Sequence, residues 1–169
     1  MRLIIVLLAL AIAAPPIVVG KMYAQKPQSG TGGRTMKHAT GSFEVKILPE
    51  EASSAEKSAG IARMSIDKVI SGDLVGSTKG EMLTTMNSAT GAMAYVAIET
   101  VRATLDGRSG TFVLIHKATM NKNDPKSQSL NISVVPASGT DGLVGIVGDF
   151  SIHIDGTGKH TYTFDYELP

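Results

Sequence analysis

Two residues in adjacent alternating stretches have the types and spacing to do chemistry together. In "TLDGRSGTFVLIHKATM", residues 104–120, Phe112, Leu114, Ala118 and Met120 share one side of an alternating strand, and His116 stands among them. The stretch before it, "AMAYVAIETVRAT", carries Glu99. If Asp106-Gly107-Arg108-Ser109 forms a four-residue hairpin loop flanked by Leu105 and Gly110, Glu99 lies directly opposite His116. The same register sets Tyr95 against Met120, Ala97 against Ala118, Val101 against Leu114 and Ala103 against Phe112. Directly opposed side chains have Cβ atoms roughly 4.5–5.5 Å apart, within reach of a carboxylate–imidazole hydrogen bond. Such a carboxylate fixes one imidazole tautomer and raises its basicity, which suits general acid–base work. The structural alternative is a core pair that only pins two strands together. One pair without a nucleophile or metal is not a mechanism. Tyr95 offers a hydroxyl to the same group, or simply packs on Met120. All of this depends on register, because a one-residue slip sends the pair to opposite faces.

Other chemistry finds less support. The histidines are His38, His116, His153 and His160, with no HxH or HxxxH spacing. A three-ligand set of Glu99, His116 and His160 is the best metal arrangement the pattern offers, and neither a metal nor a cofactor is expected. Glycines at 139, 142, 145 and 148 lack the strand–turn–helix context of a phosphate loop and read as a loop or bulged segment. Serines occur without a nucleophile elbow. The sequon at Asn131 falls inside a strand pattern and carries little weight. Cysteine is absent, which excludes disulfides, thiolate metal sites, thiol nucleophiles and lipidation at a cysteine. A net charge of +1 over 169 residues, with no basic face interleaved with aromatics, gives no reason to expect nucleic acid as a partner.

The elements that must position the pair follow a period of two. Phe43, Val45 and Ile47 alternate with charged residues. Met64, Ile66 and Ile70 alternate with Ser65, Asp67 and Ser71, and Lys68 breaks the apolar side. Residues 73–85, 92–104, 110–120, 129–135, 150–154 and 162–168 continue the series, with Gly-, Asn- and Asp-rich turns between them. Residues 50–60 read as a short helical turn or a loop. About eight strands at this spacing predict an all-β chain, a single antiparallel barrel or sandwich over residues 39–169.

Ahead of it, Leu3 to Ala14 is an apolar run after Arg2, interrupted by Pro15-Pro16. Residues 1–24 read as a signal peptide for export to the periplasm or beyond. The alternative is an uncleaved anchor formed by residues 3–20, the sole membrane contact expected. Residues 25–38, rich in Gly, Ser, Pro and Lys, read as a flexible linker. A start at Met36 is a third reading.

The stretch "TLDGRSGTFVLIH" resembles a family of mostly bacterial proteins of unknown function with an allene-oxide-cyclase-like β-barrel. "GSFEVKILPEE", "VVPASGTDGLVGIVGDF" and "YTFDYEL" agree with it, so the likeness covers roughly residues 38–169. It implies a small antiparallel barrel with a cavity, similar to allene oxide cyclases and dirigent proteins. It also implies that Glu99, Phe112, Leu114 and His116 face the interior and that Asp106, Gly107, Arg108 and Gly110 make the motif turn. Relatives in the wider superfamily steer cyclisation or coupling of apolar substrates by shaping a pocket, while this family brings no established reaction. Lys117-Ala118 departs from the small residues, such as Ser-Gly, that the resemblance would place after His116.

Three functions are therefore carried forward. The first is an exported barrel that binds a small apolar or amphipathic molecule, with Met82, Met93, Tyr95, Phe112, Leu114 and Met120 lining the pocket. The second is a cofactor-free isomerase or cyclase using Glu99 and His116. The third is a structural envelope protein, compatible with a homo-oligomer, whose barrel is filled by its own side chains. An aromatic content of 5% leans toward a filled interior.

Overall fold

The structure is a computed structural model that describes residues 35–169. The leader or anchor read over residues 1–24 and the linker up to residue 34 lie outside the described residues. The described residues form eight antiparallel strands in simple sequential order, closed into a barrel by pairing of the first with the last. They are β1 (Lys37–Glu50), β2 (Ala62–Gly72), β3 (Leu74–Met86), β4 (Ala92–Leu105), β5 (Arg108–Asn121), β6 (Ser129–Val134), β7 (Val147–Ile154) and β8 (His160–Glu167). β1 thus begins two residues inside the stretch read as linker, with Lys37 set against Tyr166.

Between β1 and β2 lies the single α-helix of the described residues, α1 (Ser54–Ala59). Its start is a reciprocal cap: Ser53 Oγ accepts from the Glu56 amide, and the Ser53 amide donates to Glu56 Oε2 at 2.6 Å. Gly60 ends it at φ 67°, the left-handed conformation glycine adopts freely. These bonds and the Arg63 guanidinium hold the Glu56 carboxyl down at about 2.

The β4–β5 hairpin corrects the predicted register. Asp106 and Gly107 have φ of 52° and 74°, the doubly left-handed pattern of a two-residue type I′ turn. Arg108 and Ser109 therefore belong to the strand, and Leu105 pairs with Arg108 rather than Gly110. Every pairing moves by two residues: Ala97 opposes His116, Glu99 opposes Leu114, Tyr95 opposes Ala118 and Met93 opposes Met120. A shift of two preserves which face each side chain occupies, so Glu99 and His116 still point inward.

One end of the barrel is packed. Phe112 and Phe164 stack at 5.8 Å between ring centroids, Phe164 and Tyr166 at 5.1 Å, and Phe150 and Tyr162 at 4.9 Å. The loop between β6 and β7, which holds three of the four regularly spaced glycines, crosses beneath them and buries Leu143 and Ile146. Gly110 makes room for that loop, since a Cβ there would stand 2.3 Å from the Thr140 carbonyl oxygen. The motif turn locks the same end. Asp106 Oδ2 accepts from Tyr166 Oη and from Lys37 Nζ, both at 2.7 Å, and the Arg108 guanidinium donates to the Pro169 main-chain oxygen at 2.6 Å. On the outside, Val96, Ile98 and Ile115 are exposed, so the outer face of this hairpin is more apolar than its Thr, Arg and Lys residues suggest.

Candidate functional site

Midway along the barrel axis the inward side chains change from apolar to charged. Lys68 comes from β2, Glu99 from β4 and His116 from β5, and all three are buried. β2 and β4 are not neighbours, because β3 runs between them. Lys68 reaches Glu99 across positions where β3 offers only small inward residues. Thr78 pairs with Lys68, and Gly80 pairs with Glu99. A Cβ on Gly80 would stand 2.7 Å from Glu99 Cγ, so the carboxylate lies over space that only glycine leaves free.

Lys68 Nζ donates to both oxygens of Glu99 at 2.7 Å and sits 5.3 Å from the centre of the Phe43 ring. His116 Nε2 is 3.2 Å from Glu99 Oε2, at an angle that leaves it without a hydrogen-bond partner. Burial by itself would raise the Glu99 carboxyl. The His116 contact and the Lys68 ammonium outweigh it and hold the group below its usual range. Glu99 is therefore an ionised carboxylate, fully removed from solvent and compensated by its neighbours. Lys68 was legible only as a break in the apolar side of β2, and that inward parity is the signal of its role.

Above this layer the barrel is hollow. An apolar cavity of about 310 Å³ is lined by Ile66, Met82, Met93, Tyr95, Met120 and Ile152, among others, with Lys68 and His116 also on its wall. The structure thus brings Met82, Met93, Tyr95 and Met120 together around one space. Phe112 and Leu114, expected on the same wall, lie instead in the packed half, because alternation reports the face of a strand and not its height in the barrel. Burial and the Glu99 charge push the Tyr95 phenol up. Asp106, Gly107, Arg108 and Gly110 are at the opposite end, where they hold the fold together.

The mouth of the cavity is apolar as well. Ile47, Leu130 and Ile154 border it while largely exposed. β6 and β7 pair only at Ser133 and Asp149, so their ladder does not extend to Leu130 and Ile154. His160 borders the cavity beside Phe43, at 5.0 Å between rings. Among the described residues no three His, Asp or Glu groups gather as a metal site. A broader groove of about 540 Å³ runs past Ser42, Glu44, Val69 and Ser71, but these are outward positions on β1 and β2 and none is a buried polar group.

The comparisons with known proteins agree on one relationship. The family described as "Protein of unknown function (DUF3224)" matches residues 39–166. A crystal structure of a protein of unknown function from that family, from Shewanella oneidensis MR-1, is 39% identical. The match covers 80% of this chain and 98% of that one, with a TM-score of 0.70. No curated protein matches the chain.

Proposed function

The chain belongs to the DUF3224 family of proteins of unknown function, and we propose that it binds a small apolar or amphipathic molecule in the open half of its barrel. The observation that carries this reading is the cavity of about 310 Å³, walled by methionines and aliphatic side chains and floored by buried polar groups. Its size is at the lower end of small-molecule sites. Flexible, polarisable methionines adapt to the shape of an apolar occupant. A barrel filled wholly by its own side chains is the alternative that this space weighs against. Catalysis of the isomerase or cyclase kind has one observation in its favour, the imidazole of His116 beside an ionised carboxylate at the cavity wall. The proposal includes export on the leader-like residues 1–24, which cell fractionation tests by placing the protein outside the cytoplasm.

The direct test is titration with N-phenyl-1-naphthylamine, whose fluorescence rises in apolar surroundings. The expected result is a saturable rise with one site per chain. Met82→Trp, which fills the cavity from β3, abolishes it without lowering the melting temperature. A parent protein that gives no saturable signal, or a Met82→Trp variant that binds the probe equally well, overturns the proposal.

A further inference from the structure

Sulfur is unevenly distributed inside the barrel. The buried apolar cluster of the described residues holds no methionine, whereas Met82, Met93 and Met120 all line the cavity. Each of the three is partly exposed, and the cavity they line is bordered by the exposed Ile47, Leu130 and Ile154. Met93 and Met120 stand directly opposite one another on β4 and β5, so two of the thioethers are neighbours on one face. The sequence has no cysteine, and the oxidisable sulfur of this chain is therefore all thioether.

A thioether wall suits an apolar guest, and a sulfoxide wall does not. Oxidation turns a flexible apolar side chain into a polar one whose new oxygen requires a hydrogen-bond donor. Donors on this wall are already engaged: Thr84 Oγ1 donates to the Ala94 carbonyl at 3.2 Å, and Lys68 Nζ donates to both oxygens of Glu99 at 2.7 Å. Water must then enter to satisfy the sulfoxides, in the space that an apolar guest would fill. We propose that the hollow half is a redox-gated site, in which oxidation of Met82, Met93 and Met120 by a small peroxide expels the apolar guest and a bound guest shields the same three sulfurs. The inference rests on the ligand-binding reading and adds its regulation. In each step a sulfur lone pair attacks one oxygen of hydrogen peroxide, the S–O bond forms and the O–O bond breaks. The proton on the transferred oxygen passes to the departing hydroxide, which leaves as water. Sulfur is oxidised by two electrons, the peroxide is reduced, and sulfoxide reductases reverse the change.

The test exposes the protein to hydrogen peroxide, follows each methionine by peptide mass spectrometry and titrates the product with N-phenyl-1-naphthylamine. Met86, which is 60% exposed and off the cavity wall, is the reference. The expected result is one added oxygen on each of the three cavity methionines and about tenfold weaker probe binding, with an unchanged far-ultraviolet spectrum. Bound probe slows oxidation at the three but not at Met86, and reductases acting on both sulfoxide epimers restore binding. A Met82→Leu/Met93→Leu/Met120→Leu variant, which conserves volume, binds the probe equally before and after peroxide. Undiminished binding after all three are converted overturns the gating and leaves the cavity reading standing. So does loss of the fold on oxidation, failure of the reductases to restore binding, or the three cavity sulfurs surviving while Met86 is consumed. A leucine variant that loses binding as the parent does overturns it as well. A parent that does not bind the probe before peroxide overturns both. If the leucine variant does not fold, shielding by the probe at the three positions relative to Met86 in the parent decides the matter.

Discussion

Lys68 and Glu99 make a two-pronged ion pair across an intervening strand, with Nζ 2.7 Å from each carboxylate oxygen. Neither residue is on a strand paired with the other's, and the contact exists because β3 places Thr78 and Gly80 between them. The pair divides the barrel into a packed half and a hollow one.

Breaking the pair from one side leaves a buried charge uncompensated. Lys68→Met is expected to destabilise the protein by about 3–5 kcal/mol, and a Lys68→Met/Glu99→Leu double variant to recover a large part of that loss. Urea unfolding of the three proteins checks it. Equal losses in the single and double variants would contradict the account.

The same pair predicts an acid limb in stability. The Glu99 carboxyl is held below its ordinary value in the folded state, and the unfolded chain titrates it in the ordinary glutamate range. Between those two values the unfolded state binds more protons, so folding stability rises with pH. The contribution is fully present above the ordinary glutamate range and is lost as pH falls through the lowered value. Glu99→Gln should flatten this limb in unfolding free energies measured from pH to pH, while Glu44→Gln on the outer surface should leave it in place.

Gly80 is expected to tolerate no side chain. Gly80→Ala places a methyl against Glu99 Cγ and the Ile98 carbonyl, for an overpacking cost of about 1–3 kcal/mol. Displacement of the carboxylate should also change the NMR shifts of the His116 ring. Unchanged stability together with unchanged ring shifts would show that the carboxylate does not need this space.

The face pattern of the sequence was legible and the height pattern was not. Alternation with period two marked the strands and put Glu99 and His116 on inner positions, and both facts survive a register error of two residues. Two residues close a loop that the residue pattern predicts to be four, because Asp106 takes a left-handed conformation beside Gly107. Height along the axis follows from such turns and from the closure of β1 on β8. That is why Phe112 and Leu114 were expected beside Met82 and instead lie in the packed half. Lys68 was visible as an interruption in β2, but its partner is on β4. No local pattern reports a contact that passes over a strand.

The two halves should also differ in their response to truncation. Phe112→Ala, in the aromatic stack, is expected to cost about 3–5 kcal/mol. Met82→Ala borders space that is already empty and is expected to cost about 1 kcal/mol, near the transfer value of the lost exposed-side methylenes alone. Thermal or urea unfolding separates the two, and similar losses would show that the cavity wall carries as much of the fold as the stack.

This division of labour bears on how such a barrel can diversify. The latch of Asp106 on Tyr166 and Lys37, the aromatic stack and the loop under it hold the barrel at one end. Substitutions at Met82, Met93 and Met120 therefore alter the shape of the hollow end while drawing little on a narrow margin of stability. On the ligand-binding proposal, single replacements at these positions would suit different guests while each variant still folds, and the shared architecture would then say little about which guest this chain takes.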